Sequence, residues 1–196
     1  MLRQAGIPFE EMRIPRYRPE STAALATWSP SGKVPALHDG DIRVWDSLAI
    51  CETFNERFPD KQLWPADAVA RAVARSVSAE MHAGFAALRE HISTNIRGRY
   101  PGKGRTPACL ADIERIVAIW TDCRARFGSN DFLFGRFGIA DAMFAPVVLR
   151  FQTYGVALEG AARDYADAVL ALPALQAWVA DAEAETGRIE KFDFYE

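Results

Sequence analysis

The hydrophobic and polar positions divide the chain near residue 60. Before that point the apolar runs are short and separated by turn residues. Phe9-Glu-Glu-Met-Arg-Ile14 alternates with the period of a half-buried strand, and Pro15 closes it. Residues 21–27 read as a short helix. Residues 34–37 and 42–45 read as two short strands joined by His38-Asp-Gly-Asp41. Asp39-Gly40 within that join is a hairpin signal, because glycine takes positive φ at little cost. From Ser47 to Phe58 the spacing is helical, through Leu48, Ile50, Cys51, Phe54 and Phe58, and Pro59 stops it.

After residue 67 the pattern is helical throughout. Val69, Val73, Val77, Met81, Phe85, Leu88, Ile92 and Ile96 recur every three or four residues and predict one long stripe, ended by Gly98 and Pro101-Gly102. Residues 102–107 read as an exposed loop. Leu110, Ile113, Ile116, Val117, Trp120, Cys123 and Phe127 predict a second amphipathic helix. Residues 139–151 are almost all apolar and predict a helix buried on every side. Pro146 within it removes the hydrogen bond to the Ala142 carbonyl. Residues 165–172 and 174–185 predict two more helices around Pro173. The expected organisation is therefore an α/β piece over 1–60, a linker over 61–67 and an all-α domain over 68–196.

Composition narrows the function classes. The 196 residues are 49% hydrophobic and 25% charged, enough for a sizeable core. Net charge is −3, with 23 basic and 26 acidic residues and no dense basic run, so a nucleic-acid partner has no electrostatic footprint. No apolar run is long enough to span a bilayer and no basic-then-apolar leader opens the chain, so no membrane partner and a cytoplasmic location are expected. Cys51, Cys109 and Cys123 lack metal or disulfide spacing. They read as reduced, packed thiols. His82 and His91 point to opposite faces of a common helix, so no metal is expected.

Two short stretches carry candidate chemistry. Val34-Pro35 opens a strand. The plain reading is an edge-strand proline with a trans bond. The functional one is a turn that leaves the Val34 N–H and C=O free to pair with an extended peptide, as an added strand does. Asp46-Ser47 opens a helix. Both residue types are ordinary N-caps. They also suit a zwitterionic amino-acid head: the hydroxyl and free N–H groups take a carboxylate, and the Asp carboxylate takes an ammonium. Lys33 is either a solvated loop lysine or a partner for a ligand carboxylate.

The order of these pieces resembles the glutathione transferase family along essentially the whole chain. Leu2-Arg-Gln-Ala-Gly-Ile-Pro-Phe-Glu-Glu11 is similar to the end of that family's first helix and the start of its second strand. Lys33-Val-Pro-Ala-Leu37 and Trp45-Asp-Ser-Leu-Ala-Ile50 resemble its binding motifs. Leu63-Trp-Pro65 resembles its inter-domain link, and Phe137-Gly-Ile-Ala-Asp-Ala-Met143 the start of its sixth helix. Ala79-Glu-Met-His-Ala-Gly-Phe85 is similar to a segment of one bacterial branch. One departure is Gly138, where the family has Ser or Thr. Half of the capping box survives, with Asp141 accepting the Gly138 N–H.

The resemblance implies a thioredoxin-like domain followed by an all-helical domain, with a cis Val34-Pro35 bond. Glutathione is then the co-substrate, held by Lys33, Val34, Pro35, Asp46 and Ser47. The implied reaction adds or exchanges its thiolate at a small electrophile. His82, Phe85 and Arg97 are candidates for the second-substrate pocket, set against their plainer reading as core and flanking residues of a helix. A homodimer is implied. The residue that activates the thiol is expected upstream of Met1, in a strand and helix of roughly 20 residues. A downstream start, a fragment and a natural truncation each account for that. If that segment is absent, the alternative is a non-catalytic binding or assembly module of the same fold. A thiol–disulfide oxidoreductase is a third reading, though the chain holds no Cys-x-x-Cys.

Overall fold

The expected hairpin forms, with its turn at Gly40-Asp41, one residue beyond Asp39-Gly40, and with His38 and Asp39 inside the first strand. Strands β1 (Ala36–Asp39) and β2 (Ile42–Trp45) pair antiparallel, with Ala36 opposite Trp45, Leu37 opposite Val44, His38 opposite Arg43 and Asp39 opposite Ile42. Gly40 takes φ 58° while Asp41 does not turn positive, the sign pattern of a type II′ turn. The computed structural model describes residues 1–15, 17–128, 131–187, 189 and 195. They divide into two compact units, Met1–Leu63 and Trp64–Glu196.

In the first unit, helices α1 (Leu2–Ala5), α2 (Ser21–Trp28) and α3 (Ser47–Arg57) accompany the two-stranded sheet, and a single 3-10 turn follows at Pro59–Lys61. Helix α3 packs on both strands and buries Cys51 and Phe54. An Arg57–Asp39 ion pair ties its last turn to the end of β1. The expected strand over Phe9–Ile14 does not form. Among the described residues it has no partner strand, and Phe9 and Met12 are exposed. Alternation supplies only a face; a strand also needs a neighbour to take its N–H and C=O groups. The first predicted strand of the hairpin also begins later, at Ala36, so Val34 and Pro35 stand outside the sheet.

The second unit holds α4 (Ala68–Ala83), α5 (Ala86–His91), α6 (Pro107–Phe127), α7 (Ile139–Tyr154), α8 (Gly160–Leu170) and α9 (Pro173–Ala184). Helix α7 packs against α4 and α8, and α6 against α5 and α8. Trp120 is fully buried among them, its ring centroid 4.9 Å from Tyr165, 5.4 Å from Phe151 and 5.9 Å from Phe144. The expected continuous stripe over 69–96 is broken. Gly84 leaves the helix and Phe85 takes φ 58°. Arg89 closes the break by donating to the carbonyls of Met81 (2.6 Å) and Gly84 (3.1 Å). The buried face of α4 is also rotated from the valine stripe. Ala70, Ala74, Val77, Ser78 and Met81 are inside, while Val69 is 61% exposed. Small residues let helices approach closely, and a pattern weighted by bulk hides them. Helix α7 is mostly buried, yet Pro146 sits on an exposed strip, where its missing N–H leaves no buried carbonyl without a donor of that kind. At its start Asp141 accepts from the Gly138 N–H at 2.8 Å and from the Leu133 N–H at 3.2 Å. No helix among the described residues is long and apolar enough to cross a membrane.

Candidate functional site

Register brings the two candidate stretches to one end of the hairpin. Val34 lies two residues before Ala36, and Ser47 two residues after its partner Trp45. The Gly40-Asp41 turn is at the other end. With paired Cα atoms about 5 Å apart and at most about 3.5 Å gained per residue, Val34 and Ser47 are within roughly 20 Å of each other. An extended tripeptide is about 10 Å long, and two stretches at the same end of one hairpin are the arrangement that a ligand touching both needs.

The Val34-Pro35 bond is cis. Val34 is 44% exposed and its peptide N–H and C=O make no hydrogen bond to any described residue. They are therefore available to an extended ligand. Lys33 is exposed, its backbone N–H donating to Ser31 Oγ at 3.3 Å.

Asp46 is the N-cap of α3. Its Oδ1 accepts from Leu48 N–H (2.9 Å) and Ala49 N–H (3.4 Å). Its backbone stands at φ 79°, ψ 131°, a conformation costing a non-glycine residue about 1–3 kcal/mol. The cap thus uses one carboxylate oxygen and leaves Asp46 exposed to solvent. Ser47 is half-buried. Neither its hydroxyl nor its N–H meets an acceptor or donor among the described residues. A free N–H, a free hydroxyl and a carboxylate at one helix start can receive an amino acid's carboxylate and ammonium together.

Two supports of the hairpin, both near its turn, were not read from the sequence. His38 is bonded on both ring nitrogens: Arg43 Nη1 donates to Nδ1 at 2.9 Å, so Nε2–H donates to the Trp28 carbonyl at 2.5 Å. The ring thereby links α2 to the sheet. The signal was present, since a two-residue turn at Gly40-Asp41 puts His38 opposite Arg43. The Asp39–Arg57 pair, which holds α3 against the sheet, left no local signal.

The candidates on the helical unit have different surroundings. His82 is exposed on the last turn of α4 and Phe85 is buried at the break beyond it. Arg97 donates to the carbonyls of Glu185 and, at 2.7 Å, Gly187, beyond α9. The three cysteines are buried and free. Burial pushes the thiols of Cys51 and Cys123 up to about 11 and that of Cys109 upward, so all three stay protonated at neutral pH. No group of metal-binding side chains occurs among the described residues.

Residues 1–57 match the family described as glutathione S-transferase, N-terminal domain, and residues 103–181 its C-terminal domain. A maleylacetoacetate isomerase of Pseudomonas aeruginosa is 30% identical over 172 residues, covering 78% of this chain and 74% of its own. A stringent starvation protein A homolog of Haemophilus ducreyi is 26% identical, covering 82% and 71%. Among solved structures, a glutathione transferase homolog from Burkholderia strain BGR1 with bound glutathione superposes with TM-score 0.69 at 22% identity, covering 94% of this chain and 88% of that one. These matches meet a two-stranded sheet with helices followed by a helical unit, and the chain is a member of the glutathione S-transferase family.

Proposed function

We propose that the chain binds glutathione at the open end of its hairpin and serves the addition or exchange of the glutathione thiolate at a small electrophilic molecule. The observation that carries this is the coincidence of unbonded Val34 peptide groups with the unbonded Ser47 N–H and hydroxyl at the same end of one hairpin. Val34 pairs with the ligand backbone as an added strand does. Ser47 and the start of α3 receive the γ-glutamyl carboxylate. Asp46 faces the ammonium, Pro35 shapes the turn, and Lys33 is placed for the remaining carboxylate. The Burkholderia homolog with bound glutathione supports the choice of ligand.

Calorimetric titration of the chain with glutathione tests this. Saturable binding is expected, with Ser47→Ala weakening it at least about tenfold, the effect of one lost charge-assisted hydrogen bond. Absence of binding, or a Ser47→Ala variant that binds like the parent, overturns it. Turnover of an activated aryl halide in the presence of glutathione separates the enzyme from a binding or assembly module, which binds and does not turn over. Phe9, Met12, Trp28, Ile42 and Trp45 are exposed apolar side chains of the first unit. They support a homodimer, which sedimentation equilibrium reads directly.

A further inference from the structure

The chain from α9 onward is lightly attached to the helical unit. Helix α9 buries no side chain, and Ile189 beyond it is exposed. Two clasps hold the described residues that follow the helix. Arg97 donates through Nη1 to the Glu185 carbonyl and through Nη2 to the Gly187 carbonyl, the second at 2.7 Å. Tyr195 donates its hydroxyl to the His91 carbonyl at 3.1 Å. That carbonyl is one of those the end of α5 leaves without a helical donor. The Tyr195 ring centroid lies 5.8 Å from both Tyr100 and Tyr154, which are 5.7 Å from each other. Three tyrosines thus form one cluster.

Within that cluster Tyr195 is an outer member and Tyr154 the inner one. Tyr195 and Tyr100 are half-buried, whereas Tyr154 is 1% exposed. The Tyr154 hydroxyl and Ser93 Oγ share a hydrogen bond of 3.3 Å, and Ser93 is itself buried. The ground under Tyr195 holds together through bonds of its own. Tyr100 N–H donates to the Thr153 carbonyl at 2.7 Å, Gly102 N–H to the Tyr154 carbonyl at 3.0 Å, and the Thr153 hydroxyl to the Asn95 carbonyl at 2.7 Å. These tie residues 95–102 to α7 without the tail. Segments with few buried contacts open at low free energy, well before the core around them. The two partners also differ in charge. Residues 97–105 include Arg97, Arg99, Lys103 and Arg105 and no acidic residue, while residues 181–196 include six acidic and two basic ones.

We propose that the chain from Glu185 to Tyr195 is a detachable strap, whose release uncovers the Ser93–Tyr154 hydroxyl pair and frees the Arg97 guanidinium while the helical bundle stays folded. Release breaks the Arg97 bonds to the two carbonyls, the Tyr195 bond to His91 and the contacts of one ring. It leaves the bonds between residues 95–102 and α7 in place. The competing role is a chain end built permanently into the helical unit, which leaves only when that unit unfolds.

Nitration of the full chain by tetranitromethane, mapped to each tyrosine by peptide mass, separates the two. Tyr165 is the reference, because it is 0% exposed and packs on Trp120, away from the three-tyrosine cluster. The strap predicts that Tyr154 reacts at least tenfold faster than Tyr165 in the parent, although both are buried. Tyr195→Ala is expected to speed Tyr154 at least tenfold more and to leave Tyr165 unchanged. A Tyr154 rate equal to that of Tyr165 in the parent, or unchanged in Tyr195→Ala, overturns the proposal. So does a variant in which both rings speed up together, since the whole unit has then loosened. Should Tyr195→Ala not fold, Arg97→Met removes the other clasp and decides by the same two rates, with a rise of several-fold expected at Tyr154 alone. No glutathione is present and every residue involved lies in the second unit, so this result and the glutathione titration fail separately.

Discussion

Asp46 combines two demands that a single substitution can separate. Its Oδ1 caps α3, and its charge is the proposed partner of the ligand ammonium. Asparagine caps a helix as well as aspartate and removes the charge. Asp46→Asn is therefore expected to leave the free energy of unfolding in urea within about 0.5 kcal/mol of the parent while weakening glutathione several-fold. An equal loss of both marks a purely structural residue. Asp141 makes a different statement. Burial pushes its carboxyl up to about 7 from the ordinary 3.8, against the backbone N–H groups of Gly138 and Leu133 that favour its charged form. A carboxyl whose folded pKa is raised favours the fold below its unfolded pKa. That contribution is lost as pH rises through the folded value. Urea unfolding between about pH 4 and pH 7.5 checks this: the parent is expected to lose stability relative to Asp141→Asn as pH rises, whereas equal slopes refute the shift.

The helices and the hairpin were readable because each carries its signal locally: a turn glycine at Gly40, the helical spacing of Leu110 to Phe127, and a stop at Pro59. What was not readable depended on distant partners. Phe9–Ile14 alternates like a strand and has no partner strand among the described residues. The α4–α5 break at Gly84-Phe85 is held by Arg89 reaching back to carbonyls before it. The candidate site followed the same division. Val34, Pro35, Asp46 and Ser47 are two short motifs, but their meeting at one end follows from register. The 102–107 loop shows the limit most clearly. Gly102 (φ +79°) faces open space, whereas a Cβ on Gly104 (φ +70°) would meet the His91 carbonyl oxygen at 2.3 Å. Sequence treats the two glycines alike. Gly102→Ala is expected to cost about 1 kcal/mol for the left-handed backbone. Gly104→Ala adds a clash with backbone and is expected to cost about 3 kcal/mol. Thermal unfolding reads the difference as a Tm drop roughly three times larger for Gly104→Ala; matching drops place the loop away from α5.

Burial is unevenly distributed between the units, and stability should follow it. Among the described residues of the first unit, the buried apolar side chains are Ile7, Leu25, Cys51, Phe54 and Leu63, and the sheet has two strands. The second unit encloses Trp120, Phe144, Phe151, Tyr154 and Tyr165 with the apolar faces of α4 to α8. Two-stranded sheets are marginal alone, and segments with few buried contacts open at the low end of the free-energy range. Amides of Ala36–Trp45 are thus expected to exchange with solvent well before those of Ile113–Trp120 and Phe144–Phe151. This difference turns the binding proposal into a local measurement. A ligand that binds only the closed hairpin stabilises it by about 2.7 kcal/mol at a hundred times its Kd. Added glutathione should therefore slow exchange about a hundredfold at the amides of β1, β2 and the first turn of α3, where opening breaks the proposed contacts. The α6 and α7 amides, which already report the most stable part of the molecule, should move far less. Protection appearing in α6 and α7 and not in the hairpin would relocate the ligand to the helical unit.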